Sequence, residues 1–277
     1  MGTELLESGY VMSTMDMFQL NDQVAIVTGG SGLYGEHIST ALCEAGAHVI
    51  IASRNEGKCQ ALADRFNERG YKASGMKLDL SDEQSIIAFI AEVSDRYGRI
   101  DILVNNSVSR YGLNNVEETT AEGWNTAQQV NGTGLMLISR EAVKLMRAAG
   151  KGNIINIASI QGAQAPHFPV YGDTGMTSGI EYTFAKWGMI GMTKWMASYY
   201  GPYNIRVNAI SPGGYYEGDN QHKEDSNEFV RNYKSMTPLG RLAEDDDIKG
   251  PIVFLASEAS RYITGHNLLL DGGWTVW

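Results

Sequence analysis

Three groups of residues have types and spacings that could do chemistry. In Tyr182-Thr183-Phe184-Ala185-Lys186 a phenol and an ammonium stand four residues apart, which on a helix puts them on one face. A phenol with an ordinary pKa near ~10 is a poor acid or base at neutral pH, and a neighbouring ammonium stabilises its ionised form. A surface helix also carries such pairs, so this spacing alone decides nothing. The second group is Thr28-Gly29-Gly30-Ser31-Gly32-Leu33-Tyr34-Gly35, after an apolar run and at the start of a helical pattern. Glycines there allow a tight turn, and the free N–H groups of Gly29, Ser31, Gly32, Leu33, Tyr34 and Gly35 can receive a pyrophosphate. The third group is Ser53-Arg54, at the tip of the second apolar run. An NAD site would hold a carboxylate there, about 20 residues beyond the glycines, to bind the ribose hydroxyls. Arg54 instead suits a 2′-phosphate, which favours NADP over NAD.

The elements that must position these groups follow one rhythm. Short apolar runs at Val24–Val27, His48–Ala52, Ala73–Leu78, Ile102–Val104, Asn153–Ile157, Ile205–Ile210 and His266–Leu270 alternate with segments of helical period, such as Ile86, Ile87, Ile90 and Val93. Strands separated by helix-length connections predict right-handed βαβ units. The expected fold is therefore α/β: a single-domain Rossmann fold whose doubly wound, seven-stranded parallel sheet is flanked by helices. Residues 1–19 are expected to be a flexible extension and residues 20–277 the catalytic domain. Two segments break the rhythm: Gly162 to Gly179, with Pro166 and Pro169, and Gly213 to Leu239, with a short helix expected at Glu228 to Tyr233. Irregular segments of this length are commonly functional, and both look like lids.

Composition narrows the function. The chain has 22 Lys+Arg against 32 Asp+Glu, a net charge of −10, which argues against nucleic-acid or anionic-membrane partners. No apolar run reaches the ~20 residues that span a bilayer, and the first 20 residues lack a secretory pattern. Cys43 and Cys59 form neither a disulfide framework nor a metal spacing, and a lone histidine such as His167 or His222 is ordinary polar surface. The expectation is a cytoplasmic protein without a metal.

The ordered set of motifs resembles the short-chain dehydrogenase/reductase family. The resemblance rests on the glycine turn Thr28–Gly35, Asp79-Leu80, Asn105-Asn106, Asn131, Ser159, Tyr182 with Lys186, and Ser211-Pro212-Gly213, and it spans about residues 20 to 277. It implies a catalytic tetrad of Asn131, Ser159, Tyr182 and Lys186. Tyr182 would be the acid/base, Ser159 would hydrogen-bond the reacting oxygen, Lys186 would lower the Tyr182 pKa and bind the nicotinamide ribose, and Asn131 would hold a relay water. It also implies cofactor contacts at Asp79 and Leu80 (adenine), Asn105 and Ser107 (adenosine side), and Pro212, Gly213 and Gly214 (nicotinamide edge), and a homotetramer or homodimer. The chain departs from the family pattern at Leu33, where glycine is usual, and at Ser107-Val108, where Ala-Gly is usual. It also lacks the usual threonine after Pro212-Gly213, and Ser159 and Tyr182 stand 23 residues apart (182 − 159), about ten more than is usual.

Polar residues of the two lids (His167, Tyr171, Asp173; Tyr215, Tyr216, Asp219, Asn220, Gln221, His222, Lys223) favour a small hydroxyl-rich substrate: a sugar, sugar acid or polyol. The leading expectation is thus an NADP-dependent oxidoreductase interconverting a secondary alcohol and a ketone. The alternatives are an NAD-dependent sugar dehydrogenase, a 3-oxoacyl carrier-protein reductase, and a non-enzymatic NADP sensor or scaffold.

Overall fold

The computed structural model describes residues 12–112, 114–215 and 227–277. Seven parallel strands form one sheet in the order β3-β2-β1-β4-β5-β6-β7. They are β1 (Val24–Thr28), β2 (His48–Ser53), β3 (Lys72–Lys77), β4 (Ile102–Asn105), β5 (Gly152–Ile157), β6 (Ile205–Pro212) and β7 (Asn267–Leu270). The central strands are continuous apolar runs because helices cover both faces of the sheet. Alternate side chains enter opposite layers. Val27, Ile51, Val104 and Ile155 pack with α1 (Leu33–Glu44), α2 (Glu56–Glu68) and α8 (Lys249–Ala256). Ile26, Ile50, Leu103 and Ile154 pack with α3 (Glu83–Tyr97), α5 (Leu135–Ala149) and α6 (Ile180–Tyr200). In α3 the inward residues are Ile86, Phe89, Ile90 and Val93, while Ile87 of the expected stripe faces solvent.

The strand order reverses direction between β1 and β4, and in open α/β sheets ligands bind at that switch point, outside the carboxyl ends of the strands. Two local features stand out from this plan. Asn131 does not sit in a continuous long helix: α4 (Ala121–Gln128) passes through a π-helical turn, Gln129–Gly134, before α5 begins. Such wide turns redirect a helix locally and recur at functional sites. Gly134 is needed at its end, since a Cβ there would lie 2.3 Å from the Leu80 carbonyl oxygen. The expected flexible extension includes a 3-10 turn, Asp16–Phe18, whose Phe18 ring lies 6.4 Å from Phe254 of α8.

The first lid folds as short 3-10 turns, Ile160–Gly162 and Phe168–Tyr171, and the second contributes α7 (Glu228–Met236). The two close on each other through a small cluster of Ile160, Val170, Val230, Tyr233, Leu242 and Trp274. Tyr216, Asp219, Asn220, Gln221, His222 and Lys223 lie outside the described residues.

Candidate active site

A cleft of about 630 Å³ runs across the carboxyl ends of the strands from Arg54 and Asp79 to Tyr182 and Trp274. Of the expected site residues, Gly29, Gly32, Leu33, Tyr34, Ser53, Arg54, Asp79, Leu80, Ser107, Ser159, Tyr182, Lys186, Pro212, Gly213 and Gly214 all line it. Gly35, Ser31, Asn105 and Asn131 do not.

The glycine turn is shaped by close approach. Gly29 has φ +63°, and a Cβ there would press on Ser107 and Asn106 at 3.1–3.2 Å. A Cβ on Gly35 would sit 2.0 Å from the Gly29 carbonyl oxygen, so Gly35 shapes the turn from behind instead of touching a ligand. The Thr28 hydroxyl accepts hydrogen bonds from the backbone N–H groups of Asn106 (3.0 Å) and Ser107 (3.1 Å), stapling the turn to the loop after β4. Ser31 is drawn below the turn, its hydroxyl 3.5 Å from that of Ser53 and 3.6 Å from the Cys59 thiol.

Asn105 corrects one expectation. Its side chain is buried and points away from the cleft, donating to Asn156 Oδ1 (2.8 Å) and Ser139 Oγ (3.1 Å). Asn156 in turn donates to Thr193 of α6 (2.8 Å). This buried polar chain ties the catalytic helix to the sheet. The asparagine that reaches the cleft is Asn106, which donates to the Thr28 and Gly29 carbonyls at 3.1 Å. Asn131 is likewise committed: its amide exchanges two hydrogen bonds with the Ser109 backbone, at 2.7 and 2.8 Å. Its side chain holds the loop after β4 against the π-turn.

Asp79 accepts from the Ser81 N–H (2.9 Å) and hydroxyl (2.6 Å) and does not cap α3, a task that Asp82 performs. The Ser81 hydrogen bonds, helped by Arg54 and Lys77, hold its carboxyl below the usual range. Arg54 is exposed at the end of β2.

At the other end, Ser159 closes β5 as the cap of the following turn, accepting from the Gln161 N–H at 3.1 Å. Tyr182 and Lys186 extend from the first turns of α6. The Lys186 Nζ lies 5.5 Å from the Tyr182 ring centre and donates to the Ile157 carbonyl at 2.7 Å. Burial pushes the Tyr182 pKa up, against the opposing pull of Ser159 and Arg110. Burial, with Arg110 adding, pushes Lys186 down to about 7. Lys186 is not among the groups that pull the Tyr182 phenol down, and burial weakens its own hold on the proton.

His167 and Tyr171, expected from the first lid, line this end of the cleft, while the sequence missed Arg110, Gln161, Phe229, Tyr233 and Trp274 there. The aromatic ones come from two segments far apart in the chain and share no spacing that could have revealed them.

A family model described as enoyl-(acyl carrier protein) reductase matches residues 31–275. The chain belongs to the short-chain dehydrogenase/reductase family. Trans-4-hydroxycyclohexanecarboxylate dehydrogenase of Sinomonas cyclohexanicum is 35% identical over 92% of this chain and 93% of its own length. Gluconate 5-dehydrogenase of Gluconobacter oxydans (strain 621H) is 30% identical over 96% and 99%. The crystal structure of a gluconate 5-dehydrogenase from Burkholderia cenocepacia J2315, in complex with NADP and tartrate, superposes with TM-score 0.86 at 31% identity, covering 96% of this chain and all of that one.

As a short-chain dehydrogenase/reductase, the protein is an alcohol–ketone oxidoreductase that uses a nicotinamide cofactor. Its residues fit a dinucleotide: the turn that a Cβ at Gly29 would obstruct, and a cleft that joins this turn to Arg54 at one end and to Tyr182 at the other. The Tyr34 side chain of this turn also packs against its neighbours. The Tyr34 ring lies 4.3 Å from that of Tyr215, and its hydroxyl is sealed from solvent without a hydrogen-bond partner among the described residues. A buried orphan hydroxyl costs about 1–3 kcal/mol. Tyr34→Phe is therefore expected to raise the urea-unfolding free energy by about 1 kcal/mol; an unchanged or lower value would show that the hydroxyl has a partner.

Proposed function

We propose that the protein is an NADP(H)-dependent oxidoreductase that interconverts a secondary alcohol and a ketone on a polar substrate of the sugar, sugar-acid or polyol type. It would act as one catalytic domain from residue 20. The observation that carries this reading is the convergence of Ser159, Tyr182 and Lys186 on the cleft that also holds the glycine turn and Arg54. The bound dinucleotide supplies the hydride in reduction and accepts it in oxidation. The chain supplies the proton. In reduction Tyr182 gives its phenolic proton to the oxygen that gains negative charge, and in oxidation its phenolate takes the hydroxyl proton. Ser159, beside that phenol, hydrogen-bonds the reacting oxygen and favours the phenolate. Lys186 holds the nicotinamide ribose and, when protonated, adds positive charge beneath the Tyr182 ring. Asn131 acts as a positioning residue through its two bonds to Ser109.

Arg54 supports NADP because a guanidinium pairs with a 2′-phosphate and offers nothing comparable to a bare ribose. The neighbouring gluconate 5-dehydrogenase structure with bound NADP supports the same choice. Arg54→Ala should lower the NADP-over-NAD ratio of kcat/KM by about 10- to 100-fold. A wild-type preference for NAD, or a ratio unmoved by the substitution, would remove NADP from the account.

The outer face of α6 exposes Phe184, Trp187, Trp195 and Tyr199. We assign this aromatic face to subunit contacts of a homotetramer or homodimer, which solution mass would check.

A further inference from the structure

The substrate end of the cleft has a charge and a surface that select one class of molecule, and the inference from them rests on the alcohol–ketone chemistry proposed above while replacing its sugar, sugar-acid and polyol class. The ionisable side chains lining that end, besides tyrosines, are Arg110, His167 and Lys186, and no carboxylate joins them among the described residues. Asp79 lies at the other end, next to Arg54. In a chain of net charge −10 this is a marked local reversal. Arg110 is exposed and makes no hydrogen bond or ion pair among the described residues. Its charge favours the Tyr182 phenolate and disfavours the Lys186 ammonium, so it stands within reach of the reacting groups. A free guanidinium in a cleft without acids is a bidentate seat for a carboxylate.

The wall of the same end is apolar. Tyr171 stacks on Phe229 with ring centres 5.6 Å apart, and Tyr233 stacks on Trp274 at 4.2 Å. Several polar groups beside these rings are bonded to one another. The Ser178 hydroxyl donates to the Gln161 carbonyl, the Gln161 amide donates to the Tyr171 hydroxyl (3.4 Å), and the Gly214 N–H donates to the Tyr233 hydroxyl. A polyol, with a hydroxyl on every carbon, would leave several of them unpaired against this wall. The C–H faces of a saturated ring would match it.

We propose that the substrate is an alicyclic hydroxy acid: a saturated ring carrying a secondary alcohol that reacts at Tyr182 and a carboxylate that pairs with Arg110. The open-chain sugar acids and polyols of the broader reading are then the poorer substrates.

The test uses the full-length protein with NADP and with NAD, comparing 4-hydroxycyclohexanecarboxylate (both isomers), cyclohexanol and gluconate. The ring acid should exceed cyclohexanol in kcat/KM by at least about 30-fold, the worth of one charge-assisted bidentate pair. Arg110→Gln should shrink that ratio to within about threefold, by raising KM for the acid more than by lowering kcat, and Arg110→Lys should restore part of it. Calorimetry of unreactive cyclohexanecarboxylate against the protein–NADP complex should show binding that Arg110→Gln abolishes. Faster turnover of gluconate than of either ring acid, or an acid-to-alcohol ratio that Arg110→Gln leaves in place, would overturn the proposal. The two readouts separate its failure from that of the oxidoreductase reading. Alcohols oxidised without cyclohexanecarboxylate binding would reject the ring-acid site alone. Cyclohexanecarboxylate binding through Arg110 without oxidation of any alcohol would reject the chemistry and keep the site.

Discussion

Replacing Tyr182 with Phe is expected to lower kcat for alcohol oxidation by about 10³-fold, within the range for loss of a positioned acid/base, while the dinucleotide still binds. The phenol is the group in the cleft that can both give and take the proton of the reacting oxygen. The Ser159 oxygen accepts from the Gln161 N–H and has only its hydroxyl proton to offer the reacting oxygen, and Lys186 is bonded to the Ile157 carbonyl. Burial raises the Tyr182 pKa in the chain itself, so oxidation, which needs the phenolate, should accelerate as pH rises and reduction should slow. The residual rate of Tyr182→Phe should lose that slope. Initial rates of both directions across pH, beside equilibrium binding of the dinucleotide, check the prediction. A loss of less than about tenfold, or an unchanged pH profile, would assign the proton to another group.

Lys186→Met should separate stability from activity. The amine is buried and its pKa is pushed down from 10.5 to about 7 by burial and by Arg110. Between those values the unfolded chain holds a proton that the folded chain has released, so this group makes stability rise with pH from about 7 to about 10.5. Below about 7 the folded protein bears the whole cost of the buried charge. Methionine removes the cost, so the variant's stability relative to wild type should be most favourable near pH 6.5 and decline towards pH 10. Turnover should fall by about 10²-fold or more with loss of the ammonium. Urea unfolding at three pH values and steady-state kinetics would show both effects. A stability difference that does not change with pH would mean that Lys186 is not held near neutrality.

The sheet was legible because strands covered on both faces are mostly apolar, and Val24–Thr28 and His48–Ser53 read as such runs. The glycine turn, Ser159, Tyr182 and Lys186 were legible because each follows or opens an element that the apolar pattern also showed, the first two at the ends of β1 and β5 and the last two at the start of α6. Asn105 and Asn106 were harder. Neighbouring residues at a strand end face opposite ways, and only the pairing of β4 with β5 sends Asn105 to Asn156 and leaves Asn106 at the turn. The π-turn at Asn131 was hidden because its residues also suit an α-helix, and the close contact of Gly134 with Leu80 is tertiary. The substrate wall was the least legible. Tyr171, Phe229 and Trp274 meet only after the two irregular segments fold over each other, and that packing turns loops that look polar in sequence into an aromatic surface.

The central claim is that one cleft joins a dinucleotide seat to a Tyr182 proton donor for alcohol–ketone exchange. Its most direct test is absorbance-monitored turnover with NADP and NAD in parallel, for wild type and Tyr182→Phe, over hydroxy acids, sugars, polyols and the corresponding ketones. The account predicts turnover with NADP that all but disappears in Tyr182→Phe while dinucleotide binding persists. Turnover that survives the substitution undiminished would contradict it.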